Sequence, residues 1–227
     1  MRIIKCVRKT FLFALFFFIF GCAPMQRLSN LKIYEYAGRP STLPTARISA
    51  MEASNVCWLM INGSITQDTV RAFRLAASDV ESRACKEKWV ILQSPGGVIA
   101  PAFEIGRTIR DKGYNTTLEK GLGNCSSACG LIFISGVKRE LPFPLMAGSL
   151  GFHQPSIVRA GKRVCQPESS TASSAILKFA LSMLNEQAAK SFHEKVMATD
   201  CSRIRSYSYA EIVEIGIATA IGGPDVF

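Results

Sequence analysis

The sequence predicts an α/β domain with a parallel sheet, on three observations. Short apolar runs alternate with stretches of helical periodicity, in the rhythm of strand, crossover helix, strand. Two of the runs end in loops of small residues, "SPGG" at 94–97 and "NCSSAC" at 124–129. In such sheets binding groups gather at the carboxyl ends of the strands, which is where both loops fall.

Taken in order, "NVCWLMING" reads as a buried strand closed by Asn-Gly. "TQDTVRAFRLAASDVESRA" comes next as a helix, with Val70, Phe73, Leu75 and Ala76 near helical spacing and Thr66 as its cap. "KWVILQ" is a second strand, stopped by Ser94-Pro95-Gly96-Gly97. "PAFEIGRTIRDKG" is a second amphipathic helix ending at Gly113, and "YNTTLEKG" a third strand. It leads into "GNCSSACGLIFISG", where a loop turns into an apolar helix. "PFPLMAGSLGFHQP" reads as short extended segments up to His153, with Gln154 held extended by Pro155. One long helix is expected from about Ser169 to Met197, on the spacing of Leu177, Leu181, Leu184 and Ala188. In "SYAEIVEIG", Ser208 and Glu211 stand at capping-box spacing and Gly216 is the stop.

These elements make up a domain over residues 51–227. Ahead of it, residues 1–21 join the basic "MRIIKCVRK" to an apolar run too short for an ordinary membrane helix, the pattern of an export signal. "IFGC" resembles the bacterial lipobox, in which a cysteine after a small residue is diacylated and becomes the new N-terminus; Phe20 is bulkier than that pattern usually has. The resemblance implies lipidation at Cys22, with an uncleaved signal anchor as the plainer alternative. Acyl chains, at about 0.8 kcal/mol per buried methylene, would tether the protein to a membrane. Ala23 fits outer-membrane sorting in that class of signal, which makes the expected location periplasmic. Residues 22–50, with "GRPSTLPTAR", read as a flexible tether.

Export sets how charge and cysteines are read. The chain carries a formal +10, of which Arg2, Lys5, Arg8 and Lys9 belong to the signal. The remaining basic residues form no Arg-rich or aromatic-interleaved stripe, so nucleic acid is not an expected partner. Cys57, Cys85, Cys125, Cys129, Cys165 and Cys201 are left after Cys6 and Cys22, and an even number in an oxidising compartment reads as disulfides. Cys57 lies at the start of the first strand and Cys85 just before the second; if these strands are adjacent and parallel the two cysteines lie close, which makes them the best pair. Cys125 and Cys129, at i and i+4 of a helix, would meet only with distortion, so longer bridges to Cys165 or Cys201 are expected. No CxxC pair or His-rich cluster has metal-ligand spacing, so neither metal nor cofactor is expected.

Acyl transfer needs a nucleophile, a base, an orienting acid and oxyanion donors. Ser127, at a strand-to-helix turn, fits the first role; its plain alternative is a helix cap. His153 is one of two histidines, and the other, His193, lies on a predicted helix. Asp200 alone reads as a loop residue. "SPGG" allows backbone N–H groups close to a ligand, or is an ordinary tight turn.

Together the segments resemble the Clp protease peptidase subunit and its relatives in the Clp/crotonase superfamily, over roughly residues 55–220. "ILQSPGGVIAPAFEIGRTIR" is similar to that family's strand, Gly-Gly turn and helix; "SACGLIFISG" to its nucleophile segment, with Ala128 in place of the usual Met; "HQP" to its histidine tripeptide; and "SYAEIVEIGIAT" to its terminal segment. The resemblance implies repeated β-β-α units with a long helix after the histidine, a Ser127–His153–Asp200 triad, and oxyanion N–H groups from Gly97 and Ala128. It implies a serine endopeptidase, here ATP-independent and acting on peptides or unfolded proteins, and a homo-oligomer. Two rivals stand beside it: a crotonase-like acyl-thioester enzyme, against which export and the triad both speak, and a catalytically inactive member of the fold serving as a binding or assembly module.

Overall fold

The computed structural model describes residues 29–34, 45–53, 55–120, 124–142 and 149–222. The expected signal, the expected lipidation at Cys22 and most of the expected tether lie outside them.

The chain enters through β1 (Ser29–Tyr34), β2 (Arg47–Ala53) and β3 (Val56–Asn62), an antiparallel ladder. The sheet thus starts inside the stretch that reads as a tether. Its signal is faint because Ile48 is the one large hydrophobe in an alternation otherwise carried by alanine: Ala46, Ile48 and Ala50 are buried, and Arg47 is exposed. From β3 onward the sheet is parallel. Helix α1 (Gln67–Glu81) crosses to β4 (Glu87–Gln93), and α2 (Ile99–Asp111) crosses to β5 (Asn115–Leu118). Thr66 starts α1 by a capping box with Thr69, and Val70, Phe73, Ala76, Ala77 and Val80 turn one stripe inward. Leu59, Ile61, Val90 and Leu92 face the helices at 0% exposure, while Trp58, Trp89 and Ile91 form a second cluster.

A second, three-stranded sheet carries the next segments. β6 (Asn124–Ser126) leads into α3 (Ala128–Phe133), and β7 (Arg139–Pro142) returns to the large sheet beside β5. β8 (Ser149–Phe152) lies parallel to β6, and β9 (Ser156–Arg159) and β10 (Lys162–Cys165) form a separate hairpin. Two helices come next, α4 (Thr171–Met183) and α5 (Glu186–Met197); then β11 (Arg205–Tyr207) pairs with β8, and α6 (Tyr209–Glu214) leads to β12 (Ala220–Gly222) against β7. The large sheet has the order β1-β2-β3-β4-β5-β7-β12.

The expected single helix after the histidine is broken. Leu184 is extended, at φ −124° and ψ 166°, and the Asn185 side chain accepts a hydrogen bond from the Ala188 N–H at 2.8 Å to start α5. The apolar spacing runs on across the break, which is why periodicity alone joins the two helices. Asn185→Ala is expected to cost about 1 kcal/mol in urea denaturation, as for a lost N-cap. In an unbroken helix the same change would stabilise by a few tenths, since Ala outranks Asn there.

Candidate active site

Ser127 sits between β6 and α3 with φ 56° and ψ −123°. That backbone region is sparsely populated for any residue with a Cβ and costs of order 1–3 kcal/mol. The Ser127 hydroxyl makes no capping hydrogen bond to α3. Ser126, its neighbour, is 2% exposed and donates to Asn124 Oδ1 at 2.7 Å. The two adjacent serines are thus sorted by backbone geometry: Ser126 is consumed inside, and Ser127 stands half-buried at the rim of a cleft.

Three features hold the turn. The Ser127 N–H donates to Gly151 O on β8 at 2.8 Å. Gly96, at φ 98°, packs so close that a Cβ there would lie 2.6 Å from Ser126 O and 2.8 Å from Ser127 Cβ. Cys125 and Cys129 form a disulfide across the turn, with Cα atoms 5.2 Å apart and both residues at 0% exposure. This corrects the expectation of longer bridges. The two cysteines are not on one helix; one lies on a strand, the other opens a helix, and the reversal at Ser127 folds them together. Cys57–Cys85 pairs as expected, and Cys165 bonds to Cys201 rather than to the turn. Two clusters with metal-ligand composition, Glu52/Cys57/Cys85 and Cys165/Asp200/Cys201, thus have their sulfurs tied up in disulfides.

His153 arrives by register. β6 and β8 run parallel with Ser126 opposite Gly151, so the residues just past both strand ends, Ser127 and His153, border the same spaces. His153 Nδ1 lies 2.6 Å from the Gln154 carbonyl oxygen. A carbonyl only accepts, so Nδ1 is the donor in this contact, and whenever the ring is neutral the lone pair is left on Nε2. Gln154 also anchors the chain after α5: its N–H donates to Thr199 O at 2.8 Å and its side-chain amide to Met197 O at 3.0 Å. The sequence alone assigns Gln154 no role beyond extended backbone.

Asp200 is brought near but turned elsewhere. It is exposed, and its Oδ1 accepts from Ser202 N–H at 2.8 Å and Ser202 Oγ at 2.6 Å. Those bonds, with the charges of Arg203 and His153, hold its carboxyl below the usual range. Cys165 Sγ lies 3.2 Å from Oδ2; with no proton on a disulfide sulfur, this is a contact and not a hydrogen bond. Among the described residues, the hydrogen bond at His153 Nδ1 is made by the Gln154 carbonyl and not by Asp200.

The Gly-Gly turn supplies a donor. Gly97 bridges Ile65: Ile65 N–H donates to Gly96 O and Val98 N–H to Ile65 O, each at 2.9 Å. Gly97's own N–H is directed away from Ile65, and Gly97 lines the same cleft as Ser127 and His153. A Cβ at Gly97 would collide with the Ile65 backbone, so this close approach demands glycine. Ala128, first residue of α3, has an N–H with no intrahelical acceptor.

Two spaces meet at Ser127 and His153. One is a narrow apolar pocket of about 20 Å³, walled by Ile99, Leu131, Phe152, Ile176, Phe192 and Val196. The other is a polar cleft of about 370 Å³, whose walls include Ser64, Gly97, Ser156, Arg163 and Arg203.

No protein-family model matches the sequence, and no curated protein does. Solved structures do match in three dimensions. The membrane-bound stomatin-specific protease 1510-N, as a serine-to-alanine mutant, aligns with a TM-score of 0.59 at 16% identity, over 75% of this chain and 79% of that one. The same protease as a lysine-to-alanine mutant, in complex with a substrate peptide, aligns with a TM-score of 0.59 at 17% identity, over 75% of each chain. The chain therefore has the mixed α/β fold of ClpP-like, crotonase-type proteases.

The short bridge across the turn yields a test. Chain entropy assigns a loop this small about 2 kcal/mol. Cys125→Ala/Cys129→Ala should lower unfolding stability by about that much in urea. A loss below ~0.5 kcal/mol would mean that the turn keeps its geometry without the bridge.

Proposed function

We propose that this protein is a serine peptidase, tethered by lipid on Cys22 to the periplasmic face of the outer membrane, that cleaves peptides or unfolded proteins without ATP. The observation that carries the reading is Ser127: an uncommitted hydroxyl on a strained strand-to-helix turn, beside an imidazole whose lone pair is on Nε2 whenever the ring is neutral. The tether and location rest on the export signal and lipobox in residues 1–22. Ser127 Oγ attacks the scissile carbonyl as His153 takes its proton through Nε2, then returns it to the leaving amine. Gly97 and Ala128 N–H groups stabilise the oxyanion, each by roughly 2.7–4 kcal/mol. An apolar substrate side chain enters the pocket between α3, α4 and α5. Water repeats the sequence on the acyl-enzyme. Asp200 assists as a nearby negative charge, while the Gln154 carbonyl holds the tautomer. Self-association is part of the proposal; Val158, 74% exposed on the β9–β10 hairpin, offers it an apolar contact.

One observation favours a second reading. Asp200 is engaged with Ser202, as it would be in a fold that has kept the shape and lost the chemistry to act as a binding module.

A fluorophosphonate probe on the full chain in detergent separates the two. Wild type and Ser126→Ala should label, and Ser127→Ala should not. A folded wild type that stays unlabelled contradicts the peptidase and supports the binding module. The base and the acid should also differ in kind. His153→Ala should slow labelling by about 10²–10⁴-fold, the range for a positioned base. Asp200→Asn should cost less than about tenfold, because the charge of an exposed carboxylate is screened by solvent. A loss approaching ~10⁴-fold, as when a triad aspartate fixes the tautomer, would show that Asp200 swings onto His153 in the working enzyme.

A further inference from the structure

We infer that the polar half of the cleft is a carboxylate subsite, which makes the preferred substrate a peptide with an apolar residue at the cleavage point and an anionic group a few residues away. The substrate class rests on the peptidase reading, but the cationic wall itself is independent of catalysis.

Arg163 and Arg203 both line the cleft that contains Gly97, Ser127 and His153, and no Asp or Glu lines it. Arg203 also borders the adjoining space with Arg205. Several arginines elsewhere have acidic partners, Arg71 with Asp68, Arg74 with Glu104, and Arg83 with Asp79 and Glu52, while Arg110 and Arg139 spend their N–H groups on backbone carbonyls. Among the described residues, no salt bridge reaches Arg163, Arg203 or Arg205. Arg163 donates only to Cys201 O, at 3.3 Å, leaving most of its fork of five N–H groups unspent. Asp200, beside the cleft, accepts hydrogen bonds from Ser202 and acts on Arg203 through its charge without forming a salt bridge to it.

The backbone segments that carry the two exposed arginines are held in place. Arg163 lies two residues before Cys165 and Arg203 two after Cys201, so the Cys165–Cys201 disulfide clamps both segments to one wall. The Arg203 N–H further bonds Asp200 O at 3.1 Å. Two guanidinium groups bordering a cleft whose lining holds no carboxylate favour a carboxylate ligand. Two sources offer one: an acidic side chain, or the free C-terminus of a peptide.

The test is binding of fluorescent peptides to the full-length Ser127→Ala protein in detergent, with one Leu per peptide and Glu or Gln at each of three positions on either side. Neutral peptides are compared as free acids and as C-terminal amides. At one position or more, Glu should bind at least tenfold tighter than Gln. The ratio should shrink in high salt and fall to near one in Arg163→Gln/Arg203→Gln; Arg163→Lys/Arg203→Lys, which keeps the charge, should retain part of it and guards against misfolding. A free-acid preference with no Glu preference assigns the site to chain termini. Equal binding of Glu, Gln, acid and amide overturns the inference, as does a preference that survives the folded Gln variant. Because the readout is binding, these outcomes stand whether or not Ser127 of the wild type labels with fluorophosphonate, which alone judges the peptidase.

Discussion

The backbone of Ser127 is the constraint on which the site depends. An L-residue at φ 56° and ψ −123° does not rest there unaided. It is held from three directions: by the hydrogen bond to β8, by the disulfide across the turn, and by a glycine whose missing side chain makes room. Each also places something else. The bond to β8 sets the register that puts His153 beside the serine, and the glycine turn brings Gly97 to the same cleft. One strained turn thus couples the placement of Ser127, His153 and Gly97.

The rest of the chain decides what the cleft accepts. Helices α4 and α5 bring Ile176, Phe192 and Val196 to one side of Ser127, making it apolar and narrow. The hairpin β9–β10 and the loop after α5, joined by Cys165–Cys201, make the other side polar and cationic. Gln154 links the sides, since the residue that fixes the His153 tautomer also anchors the end of α5. The three disulfides differ in task. One ties β3 to the segment before β4, one braces the nucleophile, and one holds the cleft wall.

What is legible in the sequence is local. Thr66, Ser208 and the Gly-Gly turn announce themselves because capping and positive φ are properties of a few adjacent residues. Cys57–Cys85 is readable from two strands being neighbours. What escapes depends on the chain reversing direction. Cys125 and Cys129 look unbridgeable on an assumed helix and meet only because Ser127 breaks it. Strand β2 hides because alanine and serine carry little hydrophobic signal. Asp200 falls at the right distance along the chain, but chain distance says nothing of where a carboxylate turns, and a serine two residues on captures it.

The most direct test of Ser127 as an activated nucleophile is the structure of the wild-type protein after reaction with an organophosphonate. Phosphorus is expected on Ser127 Oγ, with the phosphonyl oxygen about 2.7–3.1 Å from the backbone nitrogens of Gly97 and Ala128. An adduct on another residue, or a phosphonyl oxygen directed to solvent away from those two N–H groups, would contradict it.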